Sequence, residues 1–254
     1  MLRWLTILAT LGMIAVNGLA NALPINGRAT GEISDGFDIL FTPAGYVFSI
    51  WGLIYLGLVG FAIVQALPSR HDDAIFAAVR PWFLLNTAAN ASWIFAWHYE
   101  LFPLTLGLML VILASLVAIY AKLEATARGD GLEFVFVRAP FSVYFGWISI
   151  ATIANTTVVL WELGLRGPLG DPTWTLAILV AATALCAVVS LRSGDPIYAA
   201  VFVWALIGIA VENSDRTLLL VGASSLAGVC AVVGGVSRFA VGRRSERRRS
   251  STRS

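Results

Sequence analysis

Charged side chains are scarce in this chain, which has 13% of them against 58% apolar residues and a mean hydropathy of +0.82. An ordinary globular domain has roughly 25% charged residues. The shortage therefore excludes ordinary globular composition. It predicts an all-α integral membrane protein, because long uncharged apolar stretches are typical of helices that cross a bilayer.

Acidic and basic residues are also missing from the middle of every predicted helix. Ion-coupled carriers commonly keep such groups at the bilayer centre, so coupled transport is only a minor hypothesis. Lys122 is the only lysine and lies at a helix end, which excludes a Schiff base to a retinal-like chromophore. No acid, base or nucleophile constellation is present, so we predict no catalytic residue and a protein that is not an enzyme.

Cysteine and histidine are rare too, with two residues of each. Cys186 and Cys230 lie in different predicted spans without metal-binding spacing, so neither a disulfide nor a metal site is predicted. His98 follows Trp97 at the outer end of the third span. Ligation of a haem iron is one interpretation of His98, and an ordinary solvated side chain is the favoured one.

Eight apolar runs are predicted to be membrane-spanning helices, because about 17 to 25 residues cross roughly 30 Å of hydrocarbon. Proline at the first helical position marks several starts, and Thr42, Asp171 and Asp195 precede such prolines as candidate N-caps. The seventh run is the shortest. The predicted spans are residues 4–22, 43–67, 81–97, 103–121, 140–161, 172–191, 196–211 and 217–239.

The first span also fits a signal-peptide template, with Arg3, an apolar run and small residues at positions 20–22. Asn17 and Asn21 place two amides one turn apart in that run, which suits a helix facing a bundle. Retention of the span is therefore favoured over cleavage.

The basic residues predict the orientation in the membrane. Fourteen of the 17 fall on the side of the N-terminus, which predicts a multi-pass protein of the cytoplasmic membrane with both termini in the cytoplasm. Only Arg28, Arg166 and Arg216 fall on the outer side. The arginine-rich residues 240–254 are predicted to be a disordered tail that touches anionic lipid head groups, in preference to a nucleic-acid patch.

Three spans carry aromatic and amide side chains spaced by three, four or a sum of these, so that each set shares one helix face. Buried amides need partners, which are either other helices, at roughly 0.6 kcal/mol per hydrogen bond, or a ligand. An interfacial tryptophan belt suits Trp51, Trp93 and Trp147 poorly, because they lie well inside their spans. The pattern favours a pocket for a planar ligand over plain core packing. The stripes are Trp51 and Tyr55; Asn86, Asn90, Trp93 and Trp97; and Tyr144, Trp147 and Asn155.

The first stripe lies in residues 41–55, FTPAGYVFSIWGLIY. This segment resembles the second-helix signature of the tryptophan-rich sensory protein family, also called the translocator protein or peripheral benzodiazepine receptor family. In that signature a proline-rich start is followed by Trp, three residues and Tyr. The third-helix stripe is similar to the family's Asn-x-x-Trp at Asn90 and Trp93, with Asn86 where Gln is common. The fifth-helix stripe matches a Tyr, Trp and Asn pattern.

The resemblance covers residues 1–165 and implies a five-helix bundle whose pocket binds tetrapyrroles, such as porphyrin and haem, with no required cofactor. Aromatic rings stack on planar ligands and amides orient their edges. Residues 23–41 are the implied lid over the pocket, since a loop of that length often has a function of its own. The nine stripe residues are the implied ligand-binding residues, with Trp51, Trp93, Trp97 and Trp147 as walls and Asn90, Tyr144 and Asn155 as hydrogen-bonding groups.

The chain departs from the family pattern in several places. Ser49 and Val143 stand where the family has prolines, and residues 156–162 do not carry the cholesterol motif. Residues 166–239 add three spans with small residues, among them Ser224 and Gly228, that favour close helix packing. Whether these spans buttress the bundle or form a homodimer stays open.

The resulting hypothesis is a membrane receptor or sensor for a planar hydrophobic ligand, with regulatory or transport output. An uncoupled exporter of small hydrophobic metabolites that uses all eight helices is the alternative. Light-dependent porphyrin breakdown is a third interpretation, implied only by the resemblance. The expected partners are the ligand, the bilayer and anionic lipid, without nucleic acid.

Overall fold

The computed structural model describes residues 1–23, 25–70, 73–126, 130–166 and 170–251, with side chains through residue 238. No strand occurs in these ranges. Arg128 and Arg253, used in the orientation argument, lie outside them. The eight long helices are α1 Leu2–Ala22, α2 Ile50–Val64, α3 Ala74–His98, α4 Phe102–Ala125, α5 Ala139–Glu162, α6 Pro172–Ser193, α7 Pro196–Glu212 and α8 Thr217–Ser251.

The predicted all-α membrane protein is confirmed. In the described residues, six helical stretches are long and apolar enough to cross a bilayer, and α7 is a shorter apolar helix. The more polar α3 is not one of the six, since it contains Arg80, His98 and two of the predicted amides. The protein is therefore a multi-pass membrane protein.

The helix starts predicted at Asp171 and Asp195 are confirmed. Asp171 Oδ1 accepts hydrogen bonds from the backbone N–H groups of Thr173 at 2.6 Å and Trp174 at 3.3 Å. Asp195 Oδ1 accepts two equivalent bonds at the start of α7. The bonds from Thr173 hold the pKa of the Asp171 carboxyl below its ordinary value, because they stabilise the ionised form.

Two other predicted starts are wrong. Helix α3 begins at Ala74, with Asp73 as its N-cap, so Pro81 lies inside the helix. The charge-free run begins only at Pro81, because Arg80 precedes it. Arg80 is nevertheless buried within α3, where it donates to Oε1 and to the backbone oxygen of Gln65 at 2.7 and 2.8 Å. Thr42 caps no helix, since a 3₁₀ helix, Gly45–Ser49, precedes α2.

The C-terminal segment also differs from its prediction. Helix α8 continues to Ser251, so the backbone predicted to be disordered from residue 240 is helical through that residue. Arginine and glutamate are good helix formers, which accounts for the extension. Contact of this segment with anionic lipid stays a prediction.

The chain forms two compact units, and the first contains Met1–Ile39 and Phe48–Arg166. Its five long helices form a closed ring of neighbours in the order α1, α3, α4, α5, α2. Four rings of α2, α3 and α5 fill one end of this bundle, with centroids 5.0 to 6.1 Å apart. They belong to Phe61, Phe76, Phe83 and Phe141.

Two glycines let α2 and α5 approach closely. A Cβ on Gly57 would lie 2.7 Å from Pro140 Cβ, and one on Gly60 would lie 2.3 Å from the Phe136 ring. One turn of π-helix, Phe134–Arg138, directly precedes α5. It lies where Pro140 disturbs regular helix, because proline has no N–H to donate and its ring crowds the preceding turn. The chain remains regular α-helix through Val143, where the family has a proline.

The second unit contains Leu40–Val47 and Gly167–Ser254, and α8 contacts both α6 and α7 within it. Gly222 faces Leu176, since an added Cβ would lie 2.6 Å from Leu176 Cδ1. Ser224 and Gly228, predicted to pack closely, are exposed instead. They lie on a different face of α8 from the buried Ala223, so they do not pack inside this unit, and their packing in a homodimer stays a prediction.

Phe61 is the centre of the phenylalanine cluster, because its ring contacts the other three. We predict that Phe61→Ala lowers the free energy of unfolding by about 3 kcal/mol, since it leaves a cavity between helices. Unfolding of the purified protein in mixed micelles with increasing dodecyl sulfate measures this change. Leu56→Ala is the control, because Leu56 is 71% exposed within the protein. Equal loss in both variants would contradict the assigned core.

Candidate functional site

Residues of α2, of α5 and of the 3₁₀ helix that precedes α2 form an aromatic cluster, defined as Phe48, Trp51, Tyr55, Tyr144 and Trp147. Trp51 stacks on Tyr55 with centroids 5.4 Å apart and an interplanar angle of 28°. It meets Tyr144 and Trp147 edge-on at 5.9 and 6.3 Å. Phe48 meets Trp147 edge-on at 5.8 Å. The structure thus brings together the predicted aromatic residues of the first and third stripes.

A second group of rings, the α3 stack, consists of Trp93 and Trp97. Their ring planes are 18° from parallel and their centroids are 5.2 Å apart. Trp97 also meets Phe102 of α4 edge-on at 5.5 Å, and Phe102 meets Phe37 at 5.3 Å. These ring contacts extend from α3 through Phe102 to Phe37, which lies in the segment between α1 and α2.

A buried polar chain joins α1, α3 and α5. Asn17 Nδ2 donates to Asn90 Oδ1 at 2.9 Å, and Asn90 Nδ2 donates to the Tyr144 hydroxyl at 2.9 Å. All three side chains are buried. The Asn90 amide therefore has protein partners on both of its polar atoms. Interhelical hydrogen bonding, one of the two interpretations of the amides, describes Asn90.

The other two predicted amides bind α4. Asn86 Nδ2 donates to Ser115 Oγ at 2.9 Å and to the Ile112 carbonyl at 3.3 Å. Asn155 Nδ2 donates to Thr105 Oγ1 at 2.9 Å. Asn155 is thus paired across the α4–α5 contact, and its role toward a ligand stays a prediction.

Two buried indole donors have no acceptor among the described residues. They are Nε1 of Trp93 in the α3 stack and Nε1 of Trp147 in the aromatic cluster. Asn86 Oδ1 lies near the Tyr144 hydroxyl but accepts no well-formed hydrogen bond. Leaving a buried donor without a partner costs roughly 1 to 3 kcal/mol, so such groups mark places where an acceptor would be held.

The predicted lid between α1 and α2 has structure of its own, with a 3₁₀ helix, Ile25–Gly27, and a short helix, Thr30–Ser34. His98 at the end of α3 holds it. Its Nδ1 donates to the Ile25 carbonyl at 3.0 Å, and its Nε2 lies 2.9 Å from Thr30 Oγ1. Because the carbonyl only accepts, Nε2 of the neutral ring accepts from the hydroxyl. We call these contacts the lid latch.

The interpretation of His98 as a solvated side chain is wrong, because it is 1% exposed and the lid covers it. Both ring nitrogens bind the lid, so neither is free for a haem iron in this arrangement. Nothing in the local sequence indicated this role, since Thr30 and His98 are 68 positions apart.

Further contacts fix the lid on the α3 stack. Trp97 Nε1 donates to the Thr30 carbonyl at 3.1 Å, and Ile33 is buried. Arg28 and Glu100 form an ion pair at 2.6 Å, but both are more than 40% exposed, so the pair adds little stability. The segment predicted to be a lid therefore covers Trp97, which is buried.

The lid latch provides a direct prediction. Thr30→Val keeps the side-chain shape and removes the hydroxyl bonded to His98, so the lid should open more often. Hydrogen exchange of residues 25–36 should be about fivefold faster, the factor expected for one hydrogen bond of about 1 kcal/mol. Thr126→Val, which removes an exposed hydroxyl at the end of α4, is the control. Unchanged exchange in Thr30→Val would show that the latch does not hold the lid.

Comparison with known families gives one match. The family model described as TSPO-like protein matches residues 3–236, which extend from α1 into α8. No curated protein and no solved structure matches the chain. The resemblance read from the sequence stopped near residue 165, whereas this match includes the last three spans as well. Because the match covers most of the chain, and the three motifs lie in one bundle, the chain belongs to the family of TSPO-like proteins.

Proposed function

We propose that this protein is a receptor or sensor of the cytoplasmic membrane that binds a tetrapyrrole, such as protoporphyrin or haem, in the first unit. Two features support the proposal: the family, and the buried indole N–H groups of Trp93 and Trp147 that lack protein acceptors. The second carries the argument. A porphyrin has a broad π face and acceptor groups at its edge, and aromatic walls with spare donors suit both.

We assign a role to each predicted residue according to whether its polar atoms already have partners in the protein. Trp51, Tyr55, Trp93, Trp97 and Trp147 supply ring faces to the ligand. Trp93 and Trp147 also donate to its polar edge. The four remaining predicted residues are polar and already have protein partners, so in this proposal they shape the pocket; they are Asn86, Asn90, Tyr144 and Asn155.

Access to the site is controlled by the lid. The closed lid contacts Trp97 through the Thr30 carbonyl, so a large planar ligand enters only when the latch opens. Segments that cover ligand sites commonly open at a free-energy cost of about a few kilocalories per mole. Ligand association with Thr30→Val should therefore be faster than with the native protein.

A second candidate function is uncoupled export through a path that includes the second unit. Helix α6 buries Thr175, Thr183 and Ser190 on one face, and the last two hydroxyls have no well-formed hydrogen bond among the described residues. Such groups suit a polar path. Flux of porphyrin across proteoliposomes, with Thr183→Val as the test variant, distinguishes export from binding alone.

The main test is titration of the full chain in detergent with protoporphyrin, followed by the ligand's own absorbance. Trp93→Phe and Trp147→Phe keep a ring and remove the N–H, so each should raise the Kd about fivefold. Alanine at the same positions should raise it further because the stacking face is lost as well. Trp174→Phe is the control, since Trp174 is exposed in the second unit.

Native affinity in both alanine variants would show that the assignment of the site is wrong. Repeating the titration under illumination also tests porphyrin breakdown, since a protein-dependent bilin-like product would indicate catalysis.

A further inference from the structure

Arg80 is a buried cation of the first unit that lacks an anionic partner. It is 8% exposed, and it forms no ion pair with any residue that the structure describes. Its Nε and Nη2 donate to Gln65, whereas Nη1 donates to no described residue. Arginine is rarely buried without a paired anion, because an uncompensated charge away from water is costly.

The charges near Arg80 increase this imbalance. Asp73 attracts Arg80, but its carboxylate already pairs with Arg70 at 3.5 Å and accepts from the Ile75 N–H at 3.3 Å. The guanidinium of Arg3 repels Arg80, and this repulsion exceeds the attraction from Asp73. Two like charges therefore lie close together at the end of the first unit where α1 begins and α2 ends. Such an arrangement favours a bound anion.

Gln65 holds the two arginines at this end of the bundle. It is completely buried, and its Nε2 donates to the backbone oxygens of Arg3 and Ala62, each at 2.9 Å. Only the backbone of Arg3 is used in this contact. The Arg3 guanidinium lies 5.2 Å from the centre of the Trp4 ring and forms no hydrogen bond or ion pair among the described residues. Its charge is thus available to a ligand.

The start of α1 adds positive potential at the same place. It has no side-chain cap and no acidic residue in its first turn. The first N–H groups of a helix have no partner within it, and they carry the positive end of the helix dipole, where phosphate groups bind readily. Arg80 distinguishes this helix end from others, because it supplies a buried charge that needs an anion.

The surroundings favour a lipid as the source of the phosphate. Trp4, Leu8 and Leu11 are spaced by four and three, so they share one face of α1, and they are 57%, 66% and 54% exposed. In a multi-pass membrane protein such a face meets acyl chains. Tryptophan at a helix end is typical of head-group depth, where lipid phosphates also lie. A phosphate bound at Arg3 would place its acyl chains along this face.

We propose that Arg3 and Arg80, held together by Gln65, bind the phosphate of an anionic phospholipid. Nη1 of Arg80 donates to a phosphate oxygen, and Arg3 supplies the second positive charge. A zwitterionic lipid is disfavoured, because its ammonium group brings a further positive charge to the site. This site is separate from the arginine-rich residues 240–254 and from the indole donors, so it does not rest on the proposed function.

The test is native mass spectrometry of the full chain in detergent, with phosphatidylglycerol and with phosphatidylcholine of the same acyl chains. The native protein should bind phosphatidylglycerol about tenfold more tightly. Arg3→Gln removes the charge and keeps the backbone oxygen that Gln65 binds, so the variant should fold. Its affinity for phosphatidylglycerol should fall about tenfold, the factor for one hydrogen bond to a charged group.

Arg166→Gln is the matched control and should bind phosphatidylglycerol like the native protein. Arg166 also lies against a tryptophan at a helix end, 5.7 Å from the centre of the Trp161 ring, but it is exposed. Residues 240–254 are identical in the native protein and in both variants, so their contribution to lipid binding cancels in the comparison.

A second measurement observes Arg80 directly. The ¹⁵N signal of its Nε–H group should shift when phosphatidylglycerol is added to the native protein, and it should stay in place with phosphatidylcholine or inorganic phosphate. Equal affinity for the two lipids would overturn the proposal, as would native affinity in Arg3→Gln or an equal loss in Arg166→Gln. An unmoved Arg80 signal would overturn it as well. A shift of the same size with inorganic phosphate would show that the ligand is a free anion rather than a lipid.

Discussion

The first unit depends on the hydrogen-bonded chain of Asn17, Asn90 and Tyr144. An amide within a membrane bundle has no water to bind, so its partners must come from other helices. Here one amide bonds another and then a phenol, which ties α1 and α5 to α3. These two bonds show which turns of α1, α3 and α5 face one another. The placement of the aromatic residues follows too, because Tyr144 contacts Trp51 and Trp93 is one turn from Asn90.

The same constraint separates structural polar groups from those available to a ligand. The amides satisfy one another or α4, and Trp97 binds the lid. The buried groups that remain in the first unit are the Asn86 amide oxygen, an acceptor, and two donors, the indole N–H groups of Trp93 and Trp147, which lie in ring-lined surroundings. Donors that the protein leaves unused in its interior are the strongest physical indication of a binding site in this bundle.

Much of this architecture could be predicted from the sequence. Apolar run length predicted eight helices, capping chemistry located the starts of α6 and α7, and helical spacing placed Trp51 and Tyr55 on one face. Features that depend on distant partners could not be predicted. The start of α3 depends on Gln65, whose hydrogen bonds with Arg80 offset the free-energy cost of burying that charge. The burial of His98 depends on partners in the segment between α1 and α2, which are distant in the sequence. Facing positions on α8 depend on which side α6 and α7 occupy, which spacing alone does not specify.

The central claim is that the unpaired indole donors of the first unit receive the ligand. Uniform ¹⁵N labelling of tryptophan in the native protein gives a separate indole N–H signal for each of nine residues. On addition of protoporphyrin, the account predicts downfield shifts of the Trp93 and Trp147 protons, as expected when an N–H gains an acceptor, while Trp174 and Trp204 stay in place. Movement confined to Trp161 and Trp174 at the span ends, with Trp93 and Trp147 unchanged, would contradict it.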